Sequence, residues 1–564
     1  MRKVISGILV ICVMAAVFAA PALAQRQRLS RERRLPVGEY VDKMKGGWIG
    51  QMAGVGWGGP TEFRWRGAII PEDKIPQWKP EMINQFNQDD IYVEMTFLRT
   101  LELYGLDVSI RQAGIDFANS GYALWHANRA GRDNLRNGIA PPDSGHPAFN
   151  NHADDIDYQI EADYSGLVAP GMPNVAIQLG EKFGRLMNYG DGLYGGQFVG
   201  GMYAEAFFET NVERIVRAGL RCVPEGSQFA ECINDVLKWW QENPDDWQKT
   251  WALIEAKYQD NAEYRRFSCD KGDFNIDAKI NAAYIVMGLL YGEGDMDKTI
   301  IISTRCGQDS DCNPANAGGI LGTVIGYEKL PDKFKSALNP EGKFSHTPYN
   351  FSTLVAVCEK IARQAVEKEG GRIEKDADGN ETFVIPRRRP RPSALEQCWE
   401  PGPIANSRFT EEEMAKITMG ATDISAALRK VAPGWVVTQC GPDMGPGLRD
   451  EHAGRKNVLM THPLNQTVPC ILSKTVAVPT GKQSKLSFWA GHHPGGDWEL
   501  IVKANGDELL TRTIGEKTAK NNWTLVEVDL TGYAGKEVKV ELFNKATGWA
   551  WEAGYWDAIQ IVSE

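Results

Sequence analysis

From about Val37 to about Gln364, apolar residues recur every three to four positions, the spacing of helices that bury one face. Ile91–Tyr104, Gln197–Thr210, Phe229–Glu242 and Ala278–Tyr291 carry it most clearly. Ser352–Lys368 reads as a closing helix stopped by Gly370-Gly371. The pattern then breaks. A charged stretch, Arg372–Thr382, and the proline- and arginine-rich Pro386–Pro392 read as an extended connection. From Val468 onward the period shortens to two. Lys485–Ala490, Trp498–Ala504, Thr524–Asp529 and Val538–Phe543 alternate between turn signals, and Asn505-Gly506-Asp507 reads as a hairpin turn. Short alternating strands joined by Gly-rich turns predict a β-sandwich. The chain therefore divides into a helical domain over 37–370, a linker over 371–394, an irregular connecting segment over 395–467 and a sandwich over 468–564.

The N-terminus changes the expected compartment. Arg2 and Lys3 precede the apolar run Ile5 to Phe18, and Ala22-Leu23-Ala24 supplies a small-x-small cleavage pattern. Residues 1–24 read as a signal peptide, which predicts a secreted or periplasmic protein. The apolar run falls short of the ~20 residues that span a bilayer. The leader holds two of the 62 basic residues and none of the 73 acidic ones, so the mature chain is more acidic than the full chain's −11. That balance argues against a nucleic-acid partner, and nothing points to a membrane partner. Ten cysteines include Cys12 in the leader. Cys222 with Cys232, or Cys398 with Cys440, are candidate pairs in an oxidising compartment. No C-x-x-C spacing exists, which argues against a Cys-rich zinc site.

Two segments concentrate carboxylates beside strongly apolar elements. Asn87-Gln88-Asp89-Asp90-Ile91 leads into the helical pattern Tyr92–Tyr104, and two adjacent carboxylates exceed what an N-cap requires. Gly307-Gln308-Asp309-Ser310-Asp311-Cys312-Asn313-Pro314 opens a helix built almost wholly from Ala, Gly, Ile, Leu and Val, with Asn313 expected as its N-cap and Pro314 at its first position. Like-charged carboxylates held at the edge of a core are costly unless a cation neutralises them. All-oxygen donors point to one or two ions of Mg²⁺, Mn²⁺ or Ca²⁺ type. A third cluster, Asp154-Asp155-Ile156-Asp157 with Glu161 and Asp163, reads either as a solvated helix face or as a source of a general acid or base.

Gly50-Gln51-Met52-Ala53-Gly54-Val55-Gly56-Trp57-Gly58-Gly59-Pro60-Thr61-Glu62, the Asp89-Asp90 pair, and Gly307 to Asn316 with its small-residue helix together resemble the ADP-ribosylglycohydrolase family. The resemblance covers the helical region only. It implies a compact all-α fold with two Mg²⁺-like ions in a central cleft. By motif, Asp89, Asp90, Asp309 and Asp311 are then metal ligands, and Glu62 lies in or beside the site. The chain departs from the family pattern at three positions: Gln88 and Cys312 stand where Thr is usual, and Val55 where Asp is common. Gln88 and Cys312 are therefore candidate ligands or substrate contacts. The expected fold class is multidomain, an all-α domain of this kind followed by a jelly-roll, galactose-binding-like sandwich.

The resemblance implies a metal-dependent hydrolase of glycosyl bonds. Glycosidic cleavage wants a carboxyl acid and a second carboxylate, and Glu62, Asp155 and Asp157 are the candidates. Trp489, Trp498, Trp523, Trp549, Trp551 and Trp556 punctuate the C-terminal segment, which loosely resembles carbohydrate-binding sandwiches. In a strand, Trp549-Ala550-Trp551 would aim two indoles to one face, a surface on which a sugar ring stacks. The expected substrate is an extracytoplasmic glycan. The alternatives are hydrolysis of ADP-ribosylated protein or nucleotide, and a non-catalytic glycan-binding protein.

Overall fold

A computed structural model describes residues 31–419, 424–441 and 443–564. The expected signal peptide lies outside the described residues. The chain forms two compact units. One comprises residues up to 109 together with 152–402, and the other comprises 110–151 with 403–564.

The first unit is helical. Its principal helices are α1 (Val37–Gly58), α2 (Asp89–Tyr104), α3 (Asp191–Ala206), α4 (Ala278–Tyr291), α5 (Cys312–Ile325) and α6 (Phe351–Lys368). The central contact is between α1 and α5. A Cβ added at Gly46, Gly50, Gly54 or Gly58 would lie 2.3, 2.1, 2.2 or 2.0 Å from the carbonyl oxygens of Gly322, Gly318, Pro314 and Ser310. Four glycines at four-residue spacing form one smooth stripe along α1. That stripe lets the two antiparallel backbones touch, and residue pairs separated by most of the domain meet in strict register. α4 is buried over its whole length, Lys279 and Asn281 included. α6 begins with a capping box at Asn350 and Thr353.

The segment expected as a linker is not featureless. β1 (Glu32–Pro36), β2 (Arg372–Lys375) and β3 (Glu381–Pro386) form an antiparallel sheet in the order β1-β3-β2. Phe383, Val384 and Ile385 are buried.

The second unit contains the sandwich. One five-stranded sheet orders β10 (Asp507–Ile514), β9 (Trp498–Ala504), β12 (Glu537–Lys545), β7 (Cys470–Ala477) and β4 (Val436–Thr438). The other orders β11 (Trp523–Asp529), β8 (Ser484–His492), β13 (Gly554–Ser563), β6 (Arg455–Thr461) and β5 (Gly447–His452). Leu472, Leu500, Val502 and Leu542 of the first meet Leu486, Phe488, Val526 and Trp556 of the second in one apolar core. Asn505 and Gly506 both have positive φ, as the expected β9–β10 hairpin turn requires. The segment expected to be irregular supplies β4, β5 and β6 and the helix Ile424–Val431, which packs its Leu428 into the same core. Residues 110–151 add the helices Ile110–Ala118 and His126–Arg136. They join 403–564 through Arg111, whose guanidinium pairs with Glu413, and through Asp143, which accepts from Ala405 and Ser407 N–H at 2.8 Å.

Candidate functional site

α1 ends at Gly58, whose contact with Ser310 fixes where the second acidic loop enters. Beyond it, Phe63 N–H donates to Gln308 O at 3.1 Å, Gln308 N–H donates to Trp65 O at 2.9 Å, and the Thr61 and Ser310 hydroxyls lie 2.9 Å apart. Gly307, at φ +85°, could carry no side chain, because a Cβ would sit 2.7 Å from Ala68 O. The Asp309-Ser310-Asp311 loop is thus stitched to the segment that follows the glycine-rich helix. The start of α5 differs from expectation by two residues. Asp309 receives Cys312 N–H on its side chain (3.4 Å) and Asn313 N–H on its carbonyl (3.3 Å), so the helix begins at Cys312. Asn313 instead donates to Asn281 of α4 at 2.8 Å.

Glu62, Asp89, Asp90, Asp309 and Asp311 converge. Ligating atoms of Asp89, Asp90 and Cys312 lie within 4.8 Å of one another, as do those of Asp309, Asp311 and Cys312. Burial, then Asp311 and Asp89, push Glu62 up to about 8. Burial, reinforced by Glu62 and Asp90, pushes Asp309 up to about 8. Asp90 and Asp311 are driven well above the carboxylate range, first by burial and then by neighbouring aspartates. Asp89 is raised by burial. Glu62 is exposed and Asp89 half-buried, whereas Asp90, Asp309 and Asp311 are buried.

The donors fit a hard divalent cation. Asp90 Oδ1 is buried with no hydrogen-bond partner, and no lysine or arginine of the described residues forms an ion pair with the five carboxylates. The Cys312 Sγ lies 3.2 Å from Asp90 Oδ2, and burial and the aspartates hold its thiol protonated, so it donates to Asp90 as a threonine hydroxyl would. Gln88 turns aside, its amide donating to Gln85 at 3.3 Å.

Behind this cluster lies a layer made by Glu94, which the sequence pattern did not single out, and Asp163, which it grouped with the third acidic cluster. Glu94, one turn after Asp90 on α2, accepts from Gln51 and, at 2.9 Å, from Tyr164 N–H. Asp163 accepts from Tyr203 and Asn316, both at 2.7 Å, and burial pushes it up to about 7. The spacing from Asp90 to Glu94 on one helix face is the signal that could have flagged Glu94.

The Asp154–Asp163 segment is not one helical face. Asp157–Ile160 is a single turn, and Asp154, Asp155 and Asp157 are buried. Asp155 is influenced by Asp154, Asp157 and Asp277, not by the five carboxylates above. Its segment and that of Asp277 run antiparallel, with Ile156 N–H donating to Ile276 O and Ala278 N–H to Asp154 O. The structure therefore places Asp155 and Asp157 in a second cluster, and Asp163 is the member of that segment beside the first.

In the second unit, Trp549 and Trp551 lie in the 546–553 connection between β12 and β13 rather than in a strand. They remain 42% and 53% exposed. His493 stacks on Trp551 with ring centres 4.5 Å apart, and His462 packs edge-on to Trp549 at 5.3 Å. Trp498, Trp523 and Trp556 are buried in the sandwich, and Arg455 covers Trp489. The nine cysteines of the described residues are all free; Cys222 and Cys232 face backbone carbonyls of Ala218 and Lys279.

No curated protein matches the chain significantly. Among solved structures, an ADP-ribosylglycohydrolase-related protein complex shares 14% identity, covering 58% of this chain and 99% of its own, with a TM-score of 0.38. A xylan-binding domain from Paenibacillus barcinonensis shares 15% identity over 24% of this chain and 87% of its own, with a TM-score of 0.19. A cyclase from Fischerella sp. TAU shares 14% over 24% of this chain and 86% of its own, with a TM-score of 0.18. The sequence profile of one family matches residues 37–371, more than half of the chain and the whole span of the α1–α6 helices: the chain belongs to the ADP-ribosylglycohydrolase family.

Proposed function

We propose that the chain is a metal-dependent hydrolase of glycosyl bonds acting on a glycan outside the cytoplasm. The family is hydrolytic. The observation that carries the reading is the convergence of five carboxylates without a counter-cation, one of them at the solvent edge. Asp89, Asp90, Asp309 and Asp311 would hold one or two ions of Mg²⁺, Mn²⁺ or Ca²⁺ type, which when bound orient sugar hydroxyls and stabilise developing charge. Cys312 holds Asp90 in place by its thiol donor. Glu62, at the rim, is the carboxyl placed to pass a proton to a leaving oxygen and then recover it from water. Asp163 and Glu94 fix the inner side of the cluster through Tyr203, Asn316 and Gln51.

The glycan preference rests on the export pattern at residues 1–24 and on the exposed Trp549 and Trp551. Family membership favours a second reading, hydrolysis of an ADP-ribosyl bond in protein or nucleotide. The Cys312 and Gln88 departures favour a third, a glycan-binding protein without turnover. The test replaces Asp309 and Asp311 together by Asn and assays the full chain on glycan panels and ADP-ribosylated protein, with Mg²⁺ and Mn²⁺ binding followed by calorimetry. Turnover and metal binding are expected to vanish while the circular dichroism spectrum is kept. Undiminished turnover in this variant, or after chelation, refutes the metal-dependent mechanism. Release of ADP-ribose as the sole product selects the second reading.

A further inference from the structure

The second cluster carries a donor set of different chemistry. Asp154, Asp155, Asp191 and Asp277 are buried around one buried ammonium, Lys279, which lies 3.3 Å from Asp277 and 3.9 Å from Asp154 and Asp191. Lys271 also faces Asp277 and Asp154, but its ammonium donates to Arg265 O. Negative charge remains in excess, and Asp154 Oδ1 and Asp277 Oδ1 are buried without a hydrogen-bond partner. Such orphan oxygens are costly in a low-dielectric interior. Ligating atoms of Asp154, Asp155 and Asp277 lie within 4.8 Å of one another, and so do those of Asp155, His152 and Cys269. Asp155 belongs to both groups. On the first side Lys279 supplies a cation. On the second, an imidazole, a thiol and a carboxylate face one another.

Both segments that bring these donors are held before any ion arrives. Asn188 donates to the carbonyls of Ala153 and Asp155 at 3.0 and 2.8 Å, and His152 Nδ1 lies 2.7 Å from Asp155 Oδ2. The Cys269 loop is clamped by the buried Arg265, which donates to the carbonyls of Asp270, Gly272 and Phe274 at 2.6, 2.7 and 2.8 Å. Donors this close need only a small inward adjustment to surround one ion with bonds of roughly 2.0–2.3 Å.

We propose that His152, Asp155 and Cys269 form a second metal site, for a borderline divalent ion such as Zn²⁺, distinct from the oxygen-only cluster at Asp89, Asp90, Asp309 and Asp311. A nitrogen–sulfur–oxygen set selects such an ion over Mg²⁺. The ion ties the 152–157 turn to the 265–277 loop. Through Asp277 at the head of α4, and the Asn281–Asn313 bond, it braces the start of α5.

Co²⁺ reports the site, because a thiolate ligand gives a near-ultraviolet charge-transfer band that oxygen donors do not. The full chain titrated with Co²⁺ is expected to develop this band at one equivalent. Cys269→Ser should abolish it and His152→Gln weaken Co²⁺ binding by about tenfold or more. Cys312→Ser, and Asp309→Asn with Asp311→Asn, should leave it in place. Absence of the band in the unmodified chain at saturating Co²⁺, or its persistence in Cys269→Ser, overturns the proposal.

Discussion

At the scale of the residue, the first cluster stores its function as strained protonation. Free carboxylates lose their protons near pH 4, whereas Glu62 and Asp309 hold theirs to about 8 and Asp163 to about 7. Between those limits the folded, metal-free chain binds more protons than the unfolded one. Stability supplied by these groups is full below about pH 4 and is lost as pH rises through 7 to 8. The melting temperature of the chelated protein should therefore fall between pH 5 and 9, and millimolar Mg²⁺ should flatten that fall. A pH-independent melting temperature without metal would contradict the raised carboxylates. Asp89, Asp90, Asp309 and Asp311 were legible in the sequence because charge stands out beside apolar runs. Glu94 was not, since it sits in an ordinary helical pattern, and Asp163 stood out only as one of the third acidic run; the fold alone turns both toward Asp90. Asp155 and Asp157 gather in a separate buried group with Asp154 and Asp277, a grouping that order along the chain does not report.

At the scale of the element, the glycine stripe of α1 was visible as composition, but its partner was not. Nothing in a helical period tells which distant helix will approach. The structure makes each of the four glycines specific. Gly54→Ala forces a Cβ onto Pro314 O and should cost about 1–3 kcal/mol, with a matching loss of divalent-ion affinity. Gly38→Ala, on the same helix with nothing within 4 Å, should leave both unchanged. Equal melting temperatures for the two variants would show that the α1–α5 contact does not limit stability. Among strands, the β9–β10 hairpin was readable from Asn505-Gly506. β4 to β6 were not, because three short strands lie among Pro, Gly and charged residues and their alternation is carried only by the faces that enter the core. Trp549-Ala550-Trp551 misled in the other direction: it alternates like a strand, yet it lies in the connection between β12 and β13, and Trp551 adopts φ +64°, outside regular extended backbone.

At the scale of the molecule, order along the chain is a poor guide to what folds together. Residues 110–151 interrupt the helical region and belong with 403–564, a grouping that periodicity cannot report, because local pattern is silent about which elements share a core. The second unit's exposed indoles make a claim of their own. On any glycan that retains the full chain, replacing Trp549 and Trp551 by Ala should weaken retention by about tenfold or more, with little change in melting temperature, since neither ring is packed in the sandwich core. Unchanged retention on every glycan that binds would remove these rings from recognition.

The close approach of α1 to α5 also governs when the first cluster can exist. Gly58 leaves the ribosome long before Ser310, and the contact between them closes one of the longest loops in the domain, an entropic cost that nearby pairings do not bear. Until α5 is synthesised, α1 presents a bare groove and Asp89 and Asp90 stand without their opposing loop. Completion of the helical unit and the birth of its carboxylate cluster are therefore a single event, late in synthesis, and a chain that stops short of α5 has neither.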